Sequence, residues 1–244
     1  MMKRKATAAA VVGVHHQWNG MTCQDCAVSA HRDQVSVVVI SDGAGSCARS
    51  GEAARLVVDW AAIYIPVHFE MLYEMTQERT SALHLVRRSA FCLHQAGLIP
   101  EESYCTLLFV AVHEDGRWIC GHVGDGAIIR RDAEGSRIMS YPENGEYRYE
   151  TFFINEPEAR AAQHLRMSCG ILQSETSFLL TSDGCEDLLC QWDTRQPAPA
   201  AEAMCSWLAD YEEEVVQEAL HKDLSERFSQ RSDDDLSIAL LWCK

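Results

Sequence analysis

Acidic side chains stand beside runs of apolar residues at several places in the chain. Aspartate is a poor strand residue, and a carboxylate next to a buried strand needs a partner. If neighbouring strand ends bring these side chains together, their oxygens form the kind of site that Mg²⁺ or Mn²⁺ prefers. The acids in question are Asp42 after VVVIS, Asp125 after ICGHVG, Asp183 after FLLTS, Asp234 before LSIALLW, and Asp25 in TCQDC.

Asp42 and Asp183 are each followed by glycine, and Asp-Gly most often marks a turn. Taken singly, each dipeptide is explained best as a turn. Taken together, with β-rich apolar runs before three of the acids, a shared metal site becomes the preferred interpretation. We expect the glycines to let the backbone turn sharply there and bring a carbonyl close to the metal.

The composition excludes some classes of function. The 244 residues are 47% hydrophobic and carry a net charge of −15, and we expect one domain over residues 1–244. Such acidity argues against nucleic acid or an anionic membrane surface as a partner. No apolar run approaches the ~18 residues of a membrane span. The basic and then apolar N-terminus is explained better as a first strand than as a signal peptide.

Eleven cysteines are scattered among apolar residues, which indicates reduced core thiols in a cytoplasmic protein. Cys23 and Cys26 have the one spacing that could bind zinc or cycle between thiol and disulfide. The sequence has no second CxxC and no His pair at zinc-finger spacing, so a structural role is preferred. Oxidation that disturbs the adjacent Asp25 remains a hypothesis.

Short β-rich runs alternate with longer helical patterns along the whole chain. The segments around 106–131 pair as hairpins, which favours an α+β fold with antiparallel sheets over a parallel doubly wound sheet. Helices are predicted at residues 49–65, 67–96 and 199–222. Strands are predicted at residues 8–14, 35–41, 106–112, 117–123, 126–131, 151–154, 177–182 and 236–242.

Five further motifs follow one another along the chain: QDC at 24–26, SDGAG at 41–45, GHVGDGAIIRR at 121–131, LLTSDGCEDLL at 179–189 and DDLSIALL at 234–241. With these motifs in this order, the chain resembles the metal-dependent protein phosphatases of type 2C, the PPM family, over about residues 8–243. GVHHQWNGMTCQD and NGEYRYET resemble the compact bacterial branch of that family. The resemblance implies two antiparallel β-sheets in a central sandwich, with helices on both sides and a metal site at one edge.

The resemblance also implies roles for the acids at a site with two Mn²⁺ or Mg²⁺ ions. Asp42 would bridge the two ions, with the carbonyl of Gly43 as a further ligand. Asp183 and Asp234 would hold one ion. Asp25 would lie near the other ion, through water.

Further implications concern the reaction and the partners. Asp125 matches the position that helps to bind a third, weaker ion in bacterial members, and Asp235 replaces a frequent asparagine. A metal-activated water would hydrolyse phosphoserine or phosphothreonine directly, so no protein nucleophile is needed. The expected substrate is a phosphorylated protein. Relatives of this branch are associated with a serine/threonine kinase and a von Willebrand-type domain protein, which suggests a role that opposes a kinase.

Two departures from the family pattern affect the catalytic assignment. Ala44 stands where many members have a histidine in DGHGG, and residues 6–31 contain no arginine to hold the phosphate before the QD pair. His15 and His16 are the nearest candidates for either task, beside Asp42, Asp183 and Asp234. One of the two histidines could equally be a surface residue. Arg49 is another candidate phosphate contact, although a solvated loop arginine explains it better.

These departures leave alternative functions open. The leading hypothesis is an active protein serine/threonine phosphatase. A catalytically weak module of the same fold that binds a phosphoprotein or a ligand is the second. A zinc or redox protein built on the CxxC pair is a distant third.

Overall fold

Two antiparallel β-sheets form the centre of the structure, a computed structural model that describes residues 2–143 and 151–244. The strands are β1 (Arg4–Val11), β2 (Cys26–Arg32), β3 (Val35–Ser41), β4 (Leu107–His113), β5 (Arg117–Val123), β6 (Ala127–Asp132), β7 (Gly135–Ser140), β8 (Arg166–Ile171), β9 (Thr176–Thr181), β10 (Cys190–Gln191), β11 (Gln196–Pro197) and β12 (Leu236–Cys243). One sheet has the order β2-β3-β4-β5-β8 and the other β1-β12-β9-β6-β7, while β10 and β11 form a small hairpin.

Helices cover the outer faces of both sheets. They are α1 (Val14–Trp18), α2 (Ser50–Val67), α3 (Phe69–Gln77), α4 (Ser81–Gln95), α5 (Pro100–Ser103), α6 (Glu158–His164), α7 (Asp183–Leu189), α8 (Pro199–Asp210) and α9 (Glu213–Glu226). Helices α2 to α4 pack on the first sheet, and α7 to α9 pack on the second. The expected sandwich with helices on both sides is confirmed.

Strand β3 explains why its sequence is a continuous apolar run. Val38 and Ile40 face the second sheet in the central core, whereas Val37 and Val39 face the helices on the other side. All four side chains are fully buried. A strand that is covered on both faces has no polar face and therefore shows no alternation.

The predicted strands are right in the centre of the sheets and wrong at their edges. Strands β2, β7 and β8 were not predicted, and each lies at a sheet edge with partly exposed, polar residues. Residues 151–154 were predicted as a strand, but they form an irregular segment with an isolated bridge residue. The first strand ends at Val11 and α1 starts at Val14, so the prediction for 8–14 was displaced towards the C-terminus.

Two of the three predicted helices are broken. The pattern at 67–96 is divided into α3 and α4 at Arg79, whose φ of 62° no helix can accommodate. The pattern at 199–222 is divided into α8 and α9 after Asp210. In the described part of the chain, no single helix is long and apolar enough to cross a membrane, although α2 and α3, bent by 87°, would pass such a test together.

Candidate metal centre

Three carboxylates from both sheets meet at one end of the sandwich. Asp42 follows β3, Asp125 follows β5, and Asp183 follows β9 as the first residue of α7. One carboxylate oxygen from each lies within 4.8 Å of the others. Over residues 2–143 and 151–244, these acids form the group of potential metal ligands that the geometry brings together. The ends of β3, β5 and β9 therefore converge at one place.

Threonine side chains hold two of these acids in place. The backbone N–H of Asp42 donates to Thr106 Oγ1 at 2.9 Å, and the carbonyl oxygen of Asp42 accepts from the N–H of Thr106 at 2.8 Å. Thr151 donates its hydroxyl to Asp125 Oδ2. These contacts leave the Asp42 carboxylate available for a ligand.

The three acids are electrostatically unfavourable when no cation is present. Burial raises the pKa of Asp42 and of Asp183 well above the ordinary value, and the neighbouring carboxylates raise both further. Burial also raises the pKa of Asp125, while the hydrogen bond from Thr151 opposes that change. A bound divalent cation would remove the repulsion, so the residues fit the metal that their oxygen chemistry prefers.

Asp25 is close enough to this group for its charge to act on Asp42 and Asp183, but it lines a neighbouring cavity together with Cys23 and Cys26. Its side chain is 4% exposed, and its Oδ2 makes no hydrogen bond within the described residues. Burial raises its pKa to about 6, and its charge in turn raises the pKa of Asp42 and Asp183. A buried carboxylate oxygen without a partner is a further feature that a cation would satisfy.

The acids line a cavity of about 550 Å³ that opens to solvent. Gly43 lies in the cavity wall, and its N–H donates to the carbonyl of Gln24 at 3.2 Å. Asp234 also lines the cavity, and its charge raises the pKa of Asp183 and Asp125. Its carboxylate is exposed and stands outside the tight group of three.

Gly43 and Gly184, which follow Asp42 and Asp183, are required for a different reason from the one we expected. Neither has a positive φ, so a sharp turn does not require them. A Cβ at Gly43 would lie 2.6 Å from the Ser50 backbone, and one at Gly184 would lie 2.0 Å from the Asp235 carbonyl oxygen. Glycine is needed because two backbones approach closely, and this approach brings the end of β9 to the start of β12.

The structure separates the two candidate histidines. His16 is buried and lines the cavity, with its Nδ1 2.9 Å from Asp235 Oδ2. His15 is exposed on the other side of α1 and is not part of the cavity wall. Asp235 also accepts hydrogen bonds from the N–H of Gly13 at 2.6 Å and of Gln24 at 2.5 Å. The presence of Asp235 in place of the frequent asparagine therefore matters to the structure, because this buried acid connects three segments.

The family model described as Protein phosphatase 2C matches residues 12–225. The chain belongs to the protein phosphatase 2C family. It is therefore a metal-dependent phosphatase that acts on phosphoproteins. The cluster of Asp42, Asp125 and Asp183 offers carboxylate oxygens that could hold a metal ion.

Three bacterial proteins are among those that this protein phosphatase 2C chain is similar to. Serine/threonine-protein phosphatase 3 of Escherichia coli (strain K12) is 28% identical over 257 residues, with 100% of both chains covered. PppA, a key regulatory component of T6SS in Pseudomonas aeruginosa, has a TM-score of 0.64 at 16% identity, with 99% of this chain and 98% of that chain covered. A bacterial serine phosphatase has a TM-score of 0.65 at 16% identity, with the same coverage. The two structural matches show the shared fold.

The segment 151–160 supplies a wall of the phosphatase cavity that the sequence did not predict. Thr151, Phe153 and Arg160 line the cavity, and Thr151 contacts Asp125 directly. These positions were missed because nothing in the local sequence, which was predicted as a strand at 151–154, connects them with the acids. Most of the NGEYRYET motif, residues 144–150, lies outside the described residues.

Two other candidates lie apart from the chemistry. Arg49 pairs with both carboxylate oxygens of Glu52 at 2.9 and 3.0 Å and donates to the Gly97 carbonyl, so it is a structural loop arginine. Cys23 and Cys26 are free thiols, and burial raises the pKa of each. A thiol with a raised pKa is a poor nucleophile, which argues against the redox alternative.

Proposed function

We propose that this phosphatase hydrolyses phosphoserine and phosphothreonine esters on proteins at a site with two Mn²⁺ or Mg²⁺ ions. The observation that carries the proposal is the meeting of Asp42, Asp125 and Asp183 from both sheets in one cavity. The similarity to a serine/threonine phosphatase along the whole chain supports the choice of substrate.

Each acid receives a role in this proposal. Asp42 and the Gly43 carbonyl would contribute ligands to both ions. Asp183 and Asp234 would hold one ion, and Asp25 would support the other through water. Asp125, which accepts a hydrogen bond from Thr151, would help to hold a third and weaker ion.

The bound ions would lower the pKa of a water molecule and offset the charge of the phosphoryl oxygens. The protein's own residues hold the ions, orient the ester and donate a proton to the leaving oxygen. His16 is our candidate for the proton donor, because it lies in the cavity wall with its Nδ1 2.9 Å from Asp235 Oδ2. Ala44 leaves the family's usual histidine position without a proton donor.

The direct test is hydrolysis of p-nitrophenyl phosphate and of a phosphoserine peptide with Mn²⁺ and with Mg²⁺. We expect turnover that a chelator abolishes and that Asp42→Ala or Asp183→Ala removes, while far-ultraviolet circular dichroism stays unchanged. Equal turnover in wild type and either variant would refute the ligand assignment.

A catalytically weak module that binds a phosphoprotein or a ligand is the second candidate. Two observations favour it: Ala44 replaces the histidine, and residues 6–31 lack an arginine. This alternative predicts that phosphopeptide binds to the metal-loaded protein without being hydrolysed, so the same assay decides between the two.

We propose further that the protein acts in the bacterial cytoplasm as one domain and opposes a serine/threonine kinase. A von Willebrand-type domain protein is the proposed additional partner. These proposals rest on the family resemblance together with an acidic surface that suits neither nucleic acid nor an anionic membrane.

A further inference from the structure

The cavity wall is strongly acidic, and a phosphate ester is itself an anion. Among the described residues that line the cavity, Arg160 is the sole lysine or arginine. It belongs to α6. The acids that share the cavity with it are Asp42, Asp125, Asp183, Asp234 and Asp235.

Two neighbouring side chains, Glu156 and Phe152, contact the Arg160 guanidinium. Its Nε lies 3.3 Å from Glu156 Oε2, and its Cζ lies 5.2 Å from the centre of the Phe152 ring. Phe152 is itself fixed, since it stacks on His164 at 3.5 Å with an interplanar angle of 7°. A guanidinium that is anchored through Nε and one face keeps its two terminal nitrogens free to act as a fork.

Those terminal nitrogens have no hydrogen-bond partner among residues 2–143 and 151–244. The side chain is 55% exposed, whereas that of Glu156 is 10% exposed. The Nε and one face of the Arg160 guanidinium are therefore in contact with neighbours, while its terminal nitrogens are open to a ligand. This differs from Arg49 and Arg117, whose terminal nitrogens are used in ion pairs or backbone contacts.

We infer that Arg160 binds the phosphoryl oxygens of the substrate through its two terminal nitrogens. It would supply from α6 the positive charge that residues 6–31 do not provide. A planar fork matches two phosphate oxygens, and contacts of this kind are among the stronger hydrogen bonds in proteins. The inference rests on the proposed function, because it assigns a ligand to the same cavity.

The test compares Arg160→Ala and Arg160→Lys with Arg87→Ala in the full chain. Arg87 of α4 is a matched control. It pairs at 2.8 Å with Glu158, which belongs to α6 like Arg160, but Arg87 does not line the cavity. The readouts are kcat and KM for p-nitrophenyl phosphate with Mg²⁺, the inhibition constant of inorganic phosphate, calorimetric titration with inorganic phosphate, and Tm.

We expect Arg160→Ala to raise KM and the inhibition constant of phosphate by about 10-fold to 100-fold, the range for a lost charge-assisted contact. Arg160→Lys should restore part of the loss, because lysine keeps the charge without the fork. Arg87→Ala should leave these values unchanged. If Arg160→Ala lowers Tm but leaves KM and phosphate binding at wild-type values, Arg160 only braces Glu156 and the inference is wrong.

The calorimetric titration keeps this outcome separate from failure of the proposed function. If the wild type binds phosphate and hydrolyses nothing, the proposed catalytic activity fails, and a weaker titration for Arg160→Ala still supports the inference. If both proteins bind phosphate equally, the inference is overturned whether or not the wild type is active.

Discussion

Asp42 is repelled by several other carboxylates of the site. It is buried, and the charges of Asp25, Asp183 and Asp125 all raise its pKa. The protein keeps this arrangement although it opposes folding at neutral pH in the absence of a cation. Such a conflict between stability and local chemistry is expected at functional sites, where ligand binding relieves it.

The metal-free protein should therefore lose stability as pH rises. Folded Asp25 has a pKa of about 6, above the unfolded value of about 3.9. The folded state then holds the proton more tightly, and stability falls from about pH 4 to about pH 6. The loss amounts to a few kcal/mol, at about 1.4 kcal/mol per pKa unit, and it belongs to the group of interacting acids as a whole.

Asp42→Asn should reduce this loss, because one of the coupled charges is removed. Urea unfolding of metal-free wild type and variant at pH 4.5 and 7.5 measures the difference. We expect the variant to be as stable as wild type, or more so, at pH 7.5. A variant with the same dependence on pH as wild type would mean that Asp42 is not part of the repelling group.

His16→Gln should affect poor leaving groups more than good ones. A proton donor matters most when the leaving oxygen is basic, as in a serine ester, and general acid catalysis contributes about 10²-fold to 10⁴-fold. We expect kcat on a phosphoserine peptide to fall by about 10²-fold or more, and kcat on p-nitrophenyl phosphate to fall much less. His15→Gln is the control, and equal effects of the two substitutions on the peptide would remove His16 from the mechanism.

At the scale of elements, the site depends on backbones that meet where the strands end. A Cβ at Gly184 would lie 2.0 Å from the Asp235 carbonyl oxygen, so any larger residue must separate α7 from the start of β12. Gly45 lies in the cavity wall, and a Cβ added there would lie 3.8 Å from the Gln24 side chain, which is an ordinary contact. The two glycines thus differ in what they allow, although both are near the acids.

Gly184→Ala should cost about 1–3 kcal/mol in unfolding free energy, as overpacked sites do. It should also weaken Mn²⁺ binding, because Asp183 and Asp234 are moved apart. Gly45→Ala is the matched control and should leave both quantities near wild type. Urea unfolding and calorimetric titration with Mn²⁺ provide the two measurements. Wild-type Mn²⁺ affinity in Gly184→Ala would show that this close approach does not position the acids.

The sequence predicted the elements that are buried on both faces and the acids that end them. The runs VVVIS and FLLTS are apolar because helices cover one face of each strand and the opposite sheet covers the other, so both strands and acids were recognisable. Edge strands such as β8 have mixed composition and gave little periodic signal. Arg160 could not be found, because nothing local marks a helix residue that faces a distant cavity. The contact between His16 and Asp235 was missed for the same reason.

At the scale of the molecule, the two sheets contribute different ligands to one place. Asp42 and Asp125 come from the first sheet, and Asp183 and Asp234 come from strands of the second. Ions held between them would join the two halves of the sandwich. A ligand that binds only the folded state stabilises it, by about 2.7 kcal/mol at 100 times Kd. Metal binding and folding should therefore be coupled.

The most direct test of this account is a double-mutant cycle on Mn²⁺ affinity, measured by calorimetric titration of wild type, Asp42→Asn, Asp183→Asn and the double variant. Because the two acids are proposed to share an ion, each single substitution should weaken the same binding event. The double variant should then lose much less than the sum of the two single losses in binding free energy. Losses that add in full, or single variants that bind Mn²⁺ as tightly as wild type, would contradict a shared ion.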